Sequence, residues 1–499
     1  MRVPVLYGHD VEGGFQREVE YISSRFSWNL SQSWDGQAEM NFPETPADLR
    51  KELLGFLSAD EVEFSVEERF RHSIGKSSPE ILMAKHDKIA RIVDAVVYPN
   101  EERVQAILSE LANNGYKATI FGGGTSVSGS LLLSGTGKIV SIDTKNFRKF
   151  EPRNRFAIVG AGLTGLEAEN EANSRGMTLG NFPESFIYST VGGWVSTKAT
   201  GQESNYYGGM EDLVIGVRIE TSRGTLQDDL VPRESVGIQP KEMALGSDGR
   251  NGLITEVAMK TFPLPETRYY DSRIYRSFYD GILALSRMKV FPAVARLSDE
   301  LETEFALNSA ADSTAVRLFK RYISIRGYSK GCLLIIVNNN RATLPDHGYS
   351  MSAGSQPAKA WEKGRYSRPG LANMLWKAGL VPDTLETSTS WDKIWHLYSE
   401  ARKAFYEFRD ERGFQGEIMA HLSHLYREGA CIYFTFIFKG DNELDLLQEI
   451  RDRLIRSFIS NGGSITHHHG KGRFFSPYID PFLLKVQEGY SDPLFGGDR

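Results

Sequence analysis

The sequence predicts an α+β fold in two large units, on three observations. A strand, a helix and a second strand over residues 91–121 run into Gly122-Gly123-Gly124. Strands and small-residue clusters then continue to about residue 262, where Pro263 and Pro265 interrupt the pattern. Beyond them, apolar strands at 331–338 and 431–439 alternate with long amphipathic helices, which gives a second layer of sheet and helix.

In chain order, residues 47–57 and 65–72 read as short helices. Residues 91–98 and 117–121 are strands around a helix at 100–114. Strands at 138–142, 155–159, 213–220 and 252–262 and a helix at 163–175 complete the first unit. In the second, 273–288 is a strand leading into a helix, and 340–370 is rich in loop signals. Residues 391–408 and 444–461 are helices, the latter closed by Asn461-Gly462-Gly463. Four segments result: a helical N-terminal region at 1–87, then 88–265, 266–440, and 441–499 with its three adjacent histidines.

The chain has 499 residues, 40% hydrophobic and 24% charged, a globular balance that excludes a disordered or fibrous chain. A net charge of -6 argues against a nucleic-acid partner. Two cysteines, Cys332 and Cys431, exclude a disulfide framework and fit a reducing compartment. No apolar run reaches membrane-spanning length, and no secretory, lipidation or peroxisomal signal is visible. The expectation is a cytoplasmic protein with at most peripheral contact with a membrane.

Gly160-Ala161-Gly162-Leu163-Thr164-Gly165 matches a dinucleotide fingerprint, with Glu184 about 20 residues on. A strand-to-helix turn packed through small residues accounts for it better. The stronger signal is Phe121-Gly122-Gly123-Gly124-Thr125-Ser126, whose bare backbone N–H groups can cradle a pyrophosphate. No Walker lysine follows. A second cluster runs over Pro183-Glu184-Ser185, Ser189-Thr190-Val191-Gly192-Gly193-Trp194 and Thr197-Lys198-Ala199-Thr200. A third is Gly246-Ser247-Asp248-Gly249 with Gly252. Turns alone do not explain three such clusters in one unit.

In this order the clusters resemble the FAD-binding domain of the para-cresol methylhydroxylase (PCMH) and vanillyl-alcohol oxidase (VAO) superfamily. Within it the chain is most similar to the alkyldihydroxyacetonephosphate synthases. Arg71-His72-Ser73-Ile74-Gly75-Lys76-Ser77, the Ser189–Thr197 cluster, Gly429-Ala430-Cys431-Ile432-Tyr433-Phe434 and Asn461-Gly462-Gly463-Ser464-Ile465-Thr466-His467-His468-His469-Gly470 carry the resemblance. It covers at least residues 65–475. It implies a PCMH/VAO-type FAD-binding domain at 88–265 plus an α/β cap domain for substrate, and a homodimer. It also implies noncovalent FAD held by Ile120, Phe121, Gly122, Gly123, Gly124, Thr125, Ser126, Glu184, Ser185, Ser189, Thr190, Thr197, Lys198, Ala199, Thr200, Asp248, Gly249, Gly252 and Ile254.

The implied reaction exchanges the acyl chain of acyl-dihydroxyacetone phosphate for a fatty alcohol without net redox. The flavin is held against the carbon while the fatty acid leaves and the alcohol takes its place. Tyr433 matches an acid–base tyrosine, and His467, His468 and His469 match a catalytic triplet. Arg296 matches an arginine important for flavin binding or activity. In an extended segment His467 and His469 would share a face and His468 would point away. Three adjacent imidazoles with no cysteine near them in sequence make a poor tetrahedral site, so no metal is expected. Without the resemblance, Tyr433 would read as an ordinary aromatic of an apolar strand.

Two departures bear on substrate. Ala372 stands where the family carries a substrate-binding arginine, with Arg368 four residues earlier. Arg368 would share its helical face only if the helix reached back through Pro369 and Gly370. Arg250-Asn251 replaces a Thr-Leu pair of the family. His421 and His424, spaced by three, suit a helix better than a strand, but the neighbouring strand makes them pocket lining. The alternative reading is an FAD-dependent 2-hydroxy-acid dehydrogenase or oxidase. A third is a flavin-binding remnant with a structural role.

Overall fold

A computed structural model describes residues 2–6, 15–30, 34–309, 314–339 and 350–496. The first unit is built on a four-stranded sheet ordered Val62–Glu63, Ala95–Val97, Ile139–Asp143, Lys117–Phe121. The last three strands run parallel, and Ala95–Val97 and Ile139–Asp143 are buried throughout. Burial on both faces is why they read as continuous apolar runs rather than alternating ones. The helix Val104–Asn113 lays Ile107, Leu108 and Leu111 into the same core.

Beside it lies an antiparallel five-stranded sheet ordered Gly224–Gln227, Val214–Thr221, Leu253–Lys260, Phe156–Gly160, Phe150–Pro152. The Gly160–Gly165 stretch is the turn from the last of its long strands into the helix Gly165–Asn173. A Cβ on Gly162 would sit 1.9 Å from the Thr144 carbonyl oxygen, so this glycine serves packing. The turn ends at Thr164, whose hydroxyl and the Glu167 carboxylate form a reciprocal cap.

The second unit is a seven-stranded antiparallel sheet. Its order is Met351–Ser352, Tyr269–Tyr275, Cys332–Asn338, Val294–Ser298, Gln415–Leu425, Gly429–Lys439, Val381–Ser390. The helices Phe278–Ser286, Ile394–Arg412 and Glu443–Ser460 bury their apolar stripes against one face. The other face turns toward the first unit. Along Gly429–Lys439 the two-residue period sorts the side chains. Ile432, Phe434, Phe436 and Phe438 enter the helix-covered core, while Tyr433 and Thr435 face the opposite side.

The 340–370 segment, expected as loop, is corrected in part. Residues 340–349 lie outside the described residues, but Gln356–Gly364 and Arg368–Lys377 are helices. Pro369 is no obstacle, because proline in a first turn gives up an N–H that has no helical partner there anyway. The N-terminal region is also less purely helical than expected: Arg2–Pro4 pairs with Gln37–Glu39. The chain end returns to the first unit, where Leu494 and Phe495 are buried and the Ala118 N–H donates to the Leu494 carbonyl at 2.8 Å. Among the described residues no helix is long and apolar enough to cross a membrane.

Candidate active site

A cavity of about 380 Å³ lies between the two units. Its first wall is glycine and hydroxyl: Gly122, Gly123, Gly124, Thr125 and Ser126 from the loop after Lys117–Phe121, then Glu184, Ser185, Ser189, Thr190, Thr197, Ala199 and Thr200. Ile120, Asp248, Gly249, Gly252 and Ile254 complete it. The glycines are dictated by close approach. A Cβ on Gly122 would lie 2.3 Å from the Thr190 hydroxyl, and one on Gly123 would lie 1.9 Å from the Tyr188 carbonyl oxygen. The loop can therefore nest against residues 188–190 only with no side chain there.

The facing wall comes from the seven-stranded sheet and the C-terminal segment: Arg296, Thr384, His421, Tyr433, Thr435, His468 and His469, with Arg368 and Ala372 from the helix Arg368–Lys377. The helix does reach back through Pro369 and Gly370, so Arg368 and Ala372 share one stretch of wall. Tyr433 is central. Its ring stacks on His421 at 5.0 Å and lies 6.2 Å from His468 and 5.8 Å from His469. Its hydroxyl donates to Thr384 Oγ1 at 3.0 Å.

Burial governs the charge states. It pushes the Tyr433 phenol well above its ordinary value, so the hydroxyl keeps its proton. Burial, and then the adjacent Arg296, lowers His421 to about 4. His468 and His424 fall well below the usual imidazole range through burial and their mutual crowding, and His467 is lowered by burial too. Four neutral imidazoles result. Arg296 remains the buried cation, held by Glu302 at 2.5 Å and donating to His421 Nε2 at 2.8 Å. Burial would raise Glu302, but Arg296 and His421 hold its carboxyl below the usual range.

Several expectations need correction. The side chains of Phe121 and Lys198 do not line the cavity. Phe121 packs on His72 at 4.0 Å behind the glycine loop, and Lys198 is an exposed left-handed helix cap. His421 and His424 lie on the strand Gln415–Leu425, not a helix. His424 is the extra residue of a bulge between Ser423 and Leu425, with φ +49°. The bulge turns it out of the pleat to Ser204 Oγ at 2.7 Å, with its ring 5.2 Å from His468. The triplet is not extended either. His468 and His469 both face the cavity, and His467 turns to the Tyr426 hydroxyl at 2.7 Å.

The cause is a residue that sequence reasoning passed over. Glu386, fully buried on Val381–Ser390, accepts the backbone N–H groups of His467, His468 and His469 and the Thr466 hydroxyl. Consecutive N–H groups aimed at one carboxylate curl the segment. No local pattern marked it, because its partners lie about 80 positions later in the chain. Cys431 also comes close in space. Its sulfur with His467 and His468, and separately Glu386 with His468 and His469, form groups whose ligand atoms lie within 4.8 Å of one another. Burial raises the Cys431 thiol well above its ordinary value, so it stands here as a neutral thiol.

The first wall fits FAD. It offers backbone N–H groups without side-chain cover for a diphosphate and a row of hydroxyls for the ribityl and ribose. Ile120 and Ile254 supply an apolar bed, and Gly249 at φ +69° allows close backbone approach. Two family models match the chain: FAD binding domain over residues 93–229, and FAD linked oxidases, C-terminal domain over 340–483. The chain is 29% identical over 473 residues to alkyldihydroxyacetonephosphate synthase of Dictyostelium discoideum, covering 89% of this chain and 77% of that protein. It is 29% identical over 489 residues to the synthase of Caenorhabditis elegans, covering 89% and 82%. A solved alkyldihydroxyacetonephosphate synthase superposes with a TM-score of 0.81 over 95% of this chain and 92% of its own, at 24% identity, which establishes a common fold.

Proposed function

We propose that this flavoprotein, a homologue of the alkyldihydroxyacetonephosphate synthases, exchanges the acyl chain of acyl-dihydroxyacetone phosphate for a fatty alcohol, giving an ether-lipid precursor with no net redox change. One observation carries the reading. A protonated tyrosine, the neutral imidazoles of His421 and His468, the His469 ring and two arginines converge on one cavity whose opposite wall fits FAD.

In the exchange, the bond from the substrate carbon to the acyl oxygen breaks and the fatty acid leaves. The alcohol oxygen bonds to the same carbon and gives up its proton. FAD, when bound, supplies a ring that can lend electrons to the substrate carbon and take them back. The chain's own residues do the rest. Tyr433 keeps a proton beside the reacting carbon, and His468 and His469 offer lone pairs for the proton removed. Arg296 is committed to Glu302 and His421, so its charge orients His421. Arg368 is paired only loosely with Glu184, at 3.8 Å, and is the freer of the two to hold the phosphate. Ala372, one turn on, leaves room beside it.

Peripheral membrane contact belongs to the same reading. Its support is the helix Thr314–Ile325, which exposes Leu318, Tyr322 and Ile325 at helical spacing beside Arg321 and Arg326. Anionic vesicles should pull the protein down, and Leu318→Glu with Ile325→Glu should abolish that; sedimentation of the double variant at the wild-type level would remove this part of the proposal.

The reaction is tested by flavin spectroscopy without oxygen. Acyl-dihydroxyacetone phosphate should perturb the flavin spectrum with no acceptor present, and 2-hydroxy acids should leave the flavin oxidised. Reduction by a 2-hydroxy acid, with turnover of an acceptor, would favour the dehydrogenase reading instead.

A further inference from the structure

The loop 246–252 has two faces. Asp248, Gly249 and Gly252 line the flavin cavity, whereas Ser247, Arg250 and Asn251 line a second cavity of about 360 Å³. The two cavities share no wall residue. Across the second one lies the helix Pro481–Glu488, followed by Tyr490. Asp480 caps that helix at the Phe482 and Leu483 N–H groups, 3.0 Å each, yet the helix buries no side chain. It spans a space instead of packing on a core.

Two cations face that space. Among the described residues the Arg250 guanidinium has no hydrogen bond and no ion pair. Lys471, two residues beyond His469, donates to the Gln487 amide oxygen and pairs with no carboxylate among the described residues. Burial lowers the Lys471 ammonium below its ordinary range; Asp248 raises it, and Arg250, a like charge, lowers it again. Glu242 and Glu488 also reach the wall. The Glu242 carboxylate accepts the Gln239 N–H at 3.0 Å, and Glu488 is exposed. Neither neutralises the two cations by direct pairing.

We propose that this cavity is a second binding site, for a phosphate monoester with a small apolar body. Such a phosphate carries between about 1.5 and 2 negative charges near pH 7, which matches two cations. The planar Arg250 fork can take two of its oxygens and the Lys471 ammonium a third. Met243, Leu484 and Tyr490 give an apolar side for the rest of the molecule. The volume lies near the lower end of the roughly 300–1,000 Å³ of small-molecule sites, which suits a headgroup or a mononucleotide-sized molecule. Ile238 and Tyr490 line the cavity and stay exposed, so a chain attached to the phosphate can leave past them.

The site is isolated in the FAD-loaded Arg368→Ala protein, which lacks the phosphate grip proposed for the flavin cavity. Calorimetric titration with phenyl phosphate should show one molecule per chain with a Kd below about 1 mM. Arg250→Gln and Lys471→Met, each added to that background, should weaken binding about tenfold or more, and Lys471→Arg should keep it. Amide hydrogen exchange over residues 481–491 should slow on binding, and should not in Arg250→Gln. Monomeric lysophosphatidic acid is the second arm. Tighter binding than phenyl phosphate assigns a lipid headgroup; equal or weaker binding assigns a free organic phosphate. Unchanged affinity in both Arg250→Gln and Lys471→Met overturns the proposal. So does binding that appears only after FAD is removed, or protection confined to residues 121–126 and 184–200, because the anion would then occupy the flavin cavity.

Discussion

Removing the Tyr433 hydroxyl removes the phenol that faces the cavity while leaving its stacked ring. Tyr433→Phe should therefore retain FAD and lose exchange activity by a factor of about 10²–10⁴, measured as steady-state kcat on protein of equal flavin content. An unchanged rate would return the protein to the remnant reading. Apart from the family resemblance, this tyrosine was just another aromatic in Gly429–Lys439. What singles it out is the face it occupies, since the core phenylalanines of that strand all point the other way. The histidine triplet was legible as a block, but its geometry was not. The curl is imposed by Glu386, which lies about 80 positions earlier in the chain, and no local pattern encodes that contact.

At the level of elements, the glycine loop and the helix carrying Arg368 are the two most testable. Gly123→Ala places a methyl 1.9 Å from the Tyr188 carbonyl oxygen, so the loop must leave residues 188–190. The purified variant should be folded by circular dichroism yet largely colourless, with flavin absorbance restored little by added FAD. Arg368→Ala should raise KM for the phosphate substrate about tenfold or more, as expected for a lost charge-assisted bond, with kcat affected less. Strand and helix positions around these elements were readable from periodicity, with ends shifted by a few residues. The misreadings came from residues that act as breakers in general and not here. Pro369 sits in a first turn, and the His421–His424 spacing that suggested a helix is a strand with an inserted residue. A bulge is invisible to a two-residue period until the partner strand is known.

For the whole molecule, function depends on how the two units meet, and buried polar groups hold that junction. Glu203 of the first unit pairs with Arg268 and Arg365 at 2.6 and 2.7 Å, while Ser204 and Asn205 bond to His424 and Leu425 of the second. The neutral imidazoles at the same junction make it sensitive to acid. His421, at about 4 when folded, and His424 and His468, well below the ordinary imidazole value, all take up protons more readily when unfolded. Their contribution is complete above the ordinary imidazole pKa of about 6.5 and is lost as pH falls from there toward 4. Thermal unfolding should accordingly move to lower temperature between pH 7 and pH 5, and His421→Gln should flatten that dependence.

The most direct measurement of the central claim follows a labelled long-chain alcohol into acyl-dihydroxyacetone phosphate under anaerobic conditions with no electron acceptor. The account predicts that labelled ether lipid and free fatty acid appear in equal amounts, with the flavin oxidised at the end. Product formation that requires an acceptor, or fatty acid release without incorporation of the alcohol, would contradict it.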